Sequence, residues 1–174
     1  ALITPTEKQR IEKVPTKNLD AYDFYLLGQN YAKDSSRDEN IWKTIDYYQQ
    51  AIALDSTYAL DYSGISGVYL SLVNLAIISP FEGYPKVKAY AMKALELNQD
   101  LENAHYQLGD VYQNYEYDFT AAESEYIRAL DINPNSHTAH LSYAYYLSSM
   151  GRHDEALSHA DIALKLDPLN SRYA

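Results

Sequence analysis

Cysteine is absent from all 174 residues. Disulfides, thiolate metal sites and cysteine nucleophiles are excluded together, while the redox compartment stays open. Positive charge is scarce as well: 14 lysines and arginines face 24 aspartates and glutamates, a formal net charge of −10. Attraction to nucleic-acid phosphates or anionic lipid is thereby lost, so neither nucleic acid nor direct membrane contact is expected, and basic or neutral partners fit better. Long hydrophobic runs are also missing. The most apolar stretch, Val68 to Ile78, is interrupted by Ser71 and Asn74 and falls short of the roughly 20 residues a spanning helix needs. The start lacks the charged region, apolar centre and cleavage site of a signal peptide. Opening on Ala1 and stopping abruptly at Ala174, the chain reads as a soluble piece of a longer protein, with the cytoplasm favoured over the periplasm.

With 47% hydrophobic and 22% charged residues, the chain can bury one domain-sized core. Its strongest signal is repetition. Near-copies of one eight-residue block, AIALDSTY from Ala51, ALELNQDL from Ala94, ALDINPNS from Ala129 and ALKLDPLN from Ala163, return at intervals of 43, 35 and 34 residues. Periods of this size mark stacked helical units, each burying its apolar face only against its neighbours.

The copies align slot by slot. The third has His105, Leu108, Gly109, Tyr112, Ala122, Tyr126, Ala129 and Pro134, with one residue inserted between its helices. The fourth has His140, Tyr143, Ala144, Leu147, Gly151, Ala156, Ala160, Ala163 and Pro168. In the first, Phe24, Leu27, Gly28 and Tyr31 precede a polar insertion around Asp34 to Asn40, then Thr44, Tyr48 and Ala51. The second runs Tyr62, Ile65, Ser66 and Tyr69, then about nine extra residues before Val87, Ala91 and Ala94. These slots resemble the tetratricopeptide repeat, with its W-x2-L-G-x2-Y, A-x3-F and Pro pattern. The resemblance implies an all-α, right-handed superhelix of four helix-turn-helix repeats over 20–168, at about 21–58, 59–101, 102–135 and 137–170. Helices are predicted near 20–33, 41–54, 59–76, 84–97, 102–115, 119–131, 136–149 and 153–166. Residues 1–19 read as a lead-in with a short polar helix over Pro5 to Val14, and 169–174 as the truncated start of a further helix.

Nineteen tyrosines are the main compositional oddity. Tyr31, Tyr48, Tyr62, Tyr69, Tyr112, Tyr126 and Tyr143 occupy packing slots and are assigned to the core. In the family the first helices line a concave groove, which the resemblance maps onto Tyr22, Tyr25, Gln29, Ser63, Asn103, Tyr106, Gln107, Asp110, Gln113, Leu141 and Tyr145. Adjoining positions are Lys33, Leu60, Gly67, Leu70, Asn114, Thr138, Ser142, Ser148 and Ser149. This surface is polar, aromatic and nearly uncharged, suited to an extended peptide. Chaperone-binding members grip a C-terminal carboxylate with cations, yet the matching positions here are Tyr25, Gln29, Gly64, Asn103 and Gln107. An Hsp70 or Hsp90 tail is therefore not the expected ligand.

Other candidates have structural readings. His137 and His140 stand three apart on a helix but lack a third metal ligand nearby, and His140 matches the packing slot of His105. Asp34, Asp38, Glu39 and Asn40 lack the spacing and glycine of a calcium loop. Glu123 and Glu125 have no nucleophile or phosphate loop beside them. No catalytic residue, metal or cofactor is assigned. The apolar run Leu72 to Ile78, with the loop to Pro85, either folds back on itself or offers a partner patch.

The reading is thus a non-enzymatic scaffold that binds a protein or peptide in its concave groove. Self-association into a homodimer through the last helix, with Leu157, Leu164 and Leu166, and a small-molecule sensor are the alternatives. The stretches AYDFYLLGQNY, YPKVKAYAMKALELN and AHYQLGDVY are similar to C-terminal repeat regions of bacterial signalling proteins, found beside adenylate or guanylate cyclase domains or winged-helix regulators. That resemblance implies a regulatory module.

Overall fold

The recurring block ends a helix the same way in every copy, and the backbone shows how. The amide of Asp55 donates to Ala51 O, Asn98 to Ala94 O, Asn133 to Ala129 O and Asp167 to Ala163 O, at 2.9–3.0 Å. Three of these side chains then accept from the amide two residues on: Asp55 from Thr57, Asn98 from Asp100 and Asn133 from Asn135. Asp and Asn make such turns because a short polar side chain can replace a backbone acceptor. One letter of the block closes the helix and turns the chain.

The computed structural model describes residues 16–33 and 38–168. Among them are eight α-helices and no strand: α1 Leu19–Lys33, α2 Asp38–Leu54, α3 Ala59–Asn74, α4 Pro80–Leu97, α5 Glu102–Val111, α6 Phe119–Ile132, α7 His137–Ser149 and α8 His153–Leu166. The expected helix over Pro5 to Val14, the part of the first insertion over 34–37, and the stub at 169–174 lie outside the described residues. Sequential helices pair as antiparallel hairpins, α1 with α2, α3 with α4, α5 with α6 and α7 with α8, and each hairpin packs on the next. The first helices α1, α3, α5 and α7 also touch one another in order, forming the inner layer of the solenoid.

Small residues let the hairpins close. Ala51, Ala94 and Ala129 are fully buried, as are Ala91 and Ala122. Glycine is required at three contacts with two tyrosine rings. The Tyr48 ring of α2 lies between Gly28 of α1 and Gly64 of α3, where a Cβ on either glycine would sit 2.7 Å from a ring carbon. The Tyr126 ring lies equally close on Gly109. In the second and fourth copies Ala91 and Ala160 take the slot of these tyrosines, opposite Ser66 and Ala144 in place of glycine. Ring and glycine change together, keeping the packed volume level.

The tryptophan slot is polar in three copies, with a shared solution. Tyr62 donates its hydroxyl to Ser56 O at 3.2 Å, while ring Nε2 faces Gln99 O at 3.1 Å in His105 and Pro134 O at 3.0 Å in His140. Each side chain thereby pins the carbonyl of the turn six residues before it. His140 also meets His159 Nδ1 at 2.8 Å, whereas His137 faces Asp167 at 3.8 Å, so the two histidines turn to different partners.

The structure corrects several expectations. Helix α4 begins at Pro80, not near 84, because Ser79 caps it by accepting from the Glu82 amide and Pro80 occupies the first turn. α3 stops at Asn74, after which Ala76 takes a left-handed φ of 56° and the amides of Ile77 and Ile78 return to Leu72 O. Leu72 is fully buried, and Val73 and Ile78 close over Gly83, so the apolar extension folds back on its own repeat. Leu75, Ile77 and Phe81 remain outside. The residue inserted in the third copy is absorbed by a π-helical turn, Tyr112–Glu116, that ends at a left-handed Tyr117 with the Asp118 amide on Tyr112 O. Leu27, matched to a slot that is buried as Ile65, Leu108 and Tyr143, is 41% exposed. That slot faces the preceding repeat, and none precedes the first copy among the described residues.

The Gly109 contact is testable. Gly109→Ala is expected to lower stability by about 1–3 kcal/mol, because the fully buried Tyr126 ring cannot withdraw. Adding Tyr126→Leu should make the alanine nearly neutral in a double-mutant cycle read by chemical denaturation. Additive losses would remove the ring contact as the reason for glycine.

Candidate functional site

A cavity of about 480 Å³ opens on the inner layer, between α1, α2, α3 and α5. Tyr25, Gln29, Ser63, Asn103, Tyr106 and Gln107 line it, with Tyr31, Tyr48, Leu60, Gly64, Gly67, Ser71 and Thr138 among its other walls. Six of the eleven expected groove residues thus meet at one place. Among the described residues, no lysine, arginine, aspartate or glutamate lines it.

The helical register explains the arrangement. Tyr25 and Gln29 are one turn apart on α1, and Gln29 Nε2 donates to the Tyr25 hydroxyl at 2.5 Å. Asn103 and Gln107 stand one turn apart on α5. Gln107 is only 2% exposed, donates to Ser63 O at 3.2 Å and so ties α5 to α3, while its Oε1 is buried without a partner. Ser63 is buried as well, and both are wall rather than open surface.

The other expected residues sit apart. Tyr22 stacks beside Tyr25 with centroids 6.2 Å apart, at the edge of the cavity. Asp110 and Gln113 meet the Tyr126 hydroxyl, at 2.6 and 2.9 Å. Burial raises Asp110 to about 6 despite that bond. Leu141 and Tyr145 line a separate apolar cavity of about 380 Å³ on α7 and α8, with Ala144, Ala156, Leu157 and Leu164. Among the adjoining positions, Leu70 is buried in the core instead.

Tyr58 and Asp61 carry the chemistry that sequence reasoning missed. Asp61, in the first turn of α3, is completely buried and neither carboxylate oxygen has a hydrogen-bond partner. The buried Tyr58 hydroxyl is unpartnered too. Tyr25 packs on Tyr58 and Tyr48, centroids 5.1 and 5.9 Å apart, and these three phenols feel the Asp61 charge. Burial, and secondarily the charge of Asp55, pushes Asp61 up to about 8. Burial, then Asp61, pushes Tyr25 up to about 12. A carboxyl taken from water without donors keeps its proton, since the neutral form costs far less to bury. The only signal in the sequence is an acid inside the aromatic and apolar run Tyr58 to Tyr62.

The sign of the pH effect follows. Below the unfolded value near 4 both states of Asp61 are protonated. Above it the unfolded chain ionises first, so stability is lost as pH rises toward the folded value of about 8. Asp61→Asn should remove this loss. The variant is expected to melt several degrees above the parent at pH 8 and within about a degree of it at pH 4, since each kcal/mol moves the midpoint by about 2–4 °C at this size. Equal increments at both pH values would contradict the buried neutral acid.

No family model matches the chain. Human tetratricopeptide repeat protein 6 is 33% identical over 79 residues, which cover 44% of this chain and 15% of that protein. The chain therefore spans a small fraction of that curated relative. Among solved structures, TTC0263, a thermophilic TPR protein of Thermus thermophilus, superposes with a TM-score of 0.69 at 21% identity, over 95% of this chain and 82% of its own. MamA gives 0.58 at 19% identity over 99% and 100%. The first TPR of Spaghetti (RPAP3), solved bound to the HSP90 peptide SRMEEVD, gives 0.60 at 16% identity over 79% and 98%. These likenesses, with the eight helices, show the fold to be an all-α solenoid of the tetratricopeptide type.

Proposed function

We propose that this chain is a protein-interaction scaffold that holds an extended peptide in the cavity of its inner layer. The observation that carries the reading is the wall itself: two tyrosines (Tyr25, Tyr106), three amides (Gln29, Asn103, Gln107) and Ser63 converge on about 480 Å³, and none of the described lining residues is charged. Tyr25 and Tyr106 offer rigid contact area at low entropic cost, and Gln29 and Asn103, both exposed, can pair with a peptide backbone. The peptide-bound RPAP3 domain has the same fold. Its acidic ligand suits this chain poorly, because none of the described residues lining the cavity is a cation that could meet a carboxylate. Within a longer protein the module would act by recruiting or positioning a partner, and the resemblance to repeat regions beside bacterial cyclase or regulator domains supports a signalling role.

Peptides selected from a random display library on the immobilised chain provide the probe. Tyr25→Ala and Tyr106→Ala are each expected to weaken them about tenfold or more while far-UV circular dichroism stays that of the parent. Peptides indifferent to both substitutions would overturn the site, and lost helicity would place the tyrosines in the core.

A second reading, self-association, draws on the other cavity. Leu157 is 68% exposed and Leu164 41%, beside the apolar floor of Leu141, Ala144 and Ala156. If this face joins two copies, light scattering shows dimers whose fraction rises with concentration, and Leu157→Glu abolishes them. A chain that stays monomeric at millimolar concentration excludes the reading.

A further inference from the structure

The cavity is neutral at its wall and acidic behind it. Asp61 acts electrostatically on the Tyr25, Tyr48 and Tyr58 phenols and is fully buried with both oxygens unpartnered, and Glu102 of α5 also acts on Tyr25. This chain matches aromatic rings with its own cations: Lys43 stands over Tyr31, one of the cavity's walls, at 5.8 Å, Lys86 over Tyr69 at 4.9 Å and Lys88 over Tyr112 at 5.0 Å. Each of those lysines is in turn paired with a carboxylate, Glu39, Glu82 and Glu116. Ring, cation and acid thus recur as a threesome. At Tyr25 the ring lines the cavity and the acid is buried behind it, and none of the described lining residues is a lysine or arginine.

Resting on the groove reading above, we propose that the cavity takes the ammonium or guanidinium group of a lysine or arginine in its peptide ligand, held against the Tyr25 ring with Asp61 as the buried counter-charge. The net charge of −10 favours approach of such a ligand. A desolvated cation gains most from a ring face and from a carboxylate that water does not screen. The acid cannot stay protonated beside it, so binding releases a proton to solvent.

Affinity must then rise with pH while Asp61 of the free protein titrates, around its value of about 8. The groups that interact with it are Tyr25 from α1, Tyr48 from α2, and Asp55 and Tyr58 from the turn into α3, while Tyr22 and Glu102 act on Tyr25. Burial drives the Tyr25, Tyr48 and Tyr58 phenols upward, and bonds from Thr16 and Thr57 hold Asp55 down. Asp61 therefore sets the window, about one pH unit to either side of 8.

The test uses four blocked pentapeptides identical except for a central arginine, lysine, norleucine or glutamate, titrated into the isotopically labelled chain and read on the amide signals of Tyr25, Gln29, Asn103 and Gln107. Arginine and lysine peptides are expected to bind about tenfold or more tightly than norleucine, and the arginine peptide to gain about tenfold from pH 7 to 9. In Asp61→Asn both the preference and the pH gain should shrink to within about twofold. Should that variant not fold, Tyr25→Leu, which keeps bulk and removes the ring, is expected to halve the preference or more. A norleucine or glutamate peptide that binds as tightly as arginine overturns the cation while leaving the groove. Silence of all four amides toward all four peptides overturns the groove itself. An arginine preference and pH gain that survive Asp61→Asn overturn the counter-charge.

Discussion

The rest of the structure depends on how closely a tyrosine ring can lie on a helix backbone. Tyr48 reaches both α1 and α3 because Gly28 and Gly64 present no Cβ, and Tyr126 reaches α5 because Gly109 presents none. Such a contact does two jobs at once. It closes a hairpin, and at Tyr48 it also joins one repeat to the next, so hairpin geometry and superhelical stacking share a single ring. A repeat protein has no central core to average out errors; each interface is supported only by its two neighbours. Volume changes must therefore be matched locally, which is why the slot opposite Ala91 holds Ser66, whose hydroxyl donates to Val87 O at 3.0 Å.

The inner layer inherits its shape from those contacts. With α1 and α3 fixed on opposite faces of Tyr48, the space between them and α5 is set by backbone, not by adaptable side chains, and Gln107 bridges it to Ser63. Rings then fill the floor. Tyr25, Tyr48 and Tyr58 pack within 5.9 Å of one another along the pairs that share Tyr25, and the price is the acid enclosed beneath them. A fixed, aromatic, uncharged wall is suited to recognising a ligand without reorganising, which lowers the entropic cost of binding.

How much of this is legible in the sequence depends on whether a feature repeats. The alanine-to-Asx block predicts where helices end, because the same bond from the Asx amide to the alanine carbonyl forms in every copy. The tryptophan slot predicts packing for His105 and His140, though not that each pins a carbonyl of the preceding turn. Features that occur once are harder to see. The π turn at Tyr112–Glu116 is how one inserted residue is absorbed without shifting α6, and a one-residue excess in the spacing does not say whether loop or helix takes it up. The start of α4 is hidden because Ser79 and Pro80 lie in a run that reads as loop, although a serine cap followed by proline is itself a helix start. Asp61 is hidden for a different reason. An acid in the first turn of a helix ordinarily faces water and the favourable end of the helix dipole, and only the rings of two other helices show that this one does not.

That buried acid also separates this groove from one that binds an acidic tail. A carboxylate-gripping site needs cations that remain charged in the free protein, and these are costly to line up unpaired along a wall. Here the arrangement is reversed: the acid lies behind the wall, and burial favours its protonated form. The free protein keeps an uncharged surface over the cavity, and the ionised form becomes stable only when a cation shares the burial. On the proposal of a cationic ligand, selectivity for charge sign would be a property of the fold's interior, set by three rings and one carboxyl, while the residues that line the surface would decide the shape and hydrogen bonding of what enters.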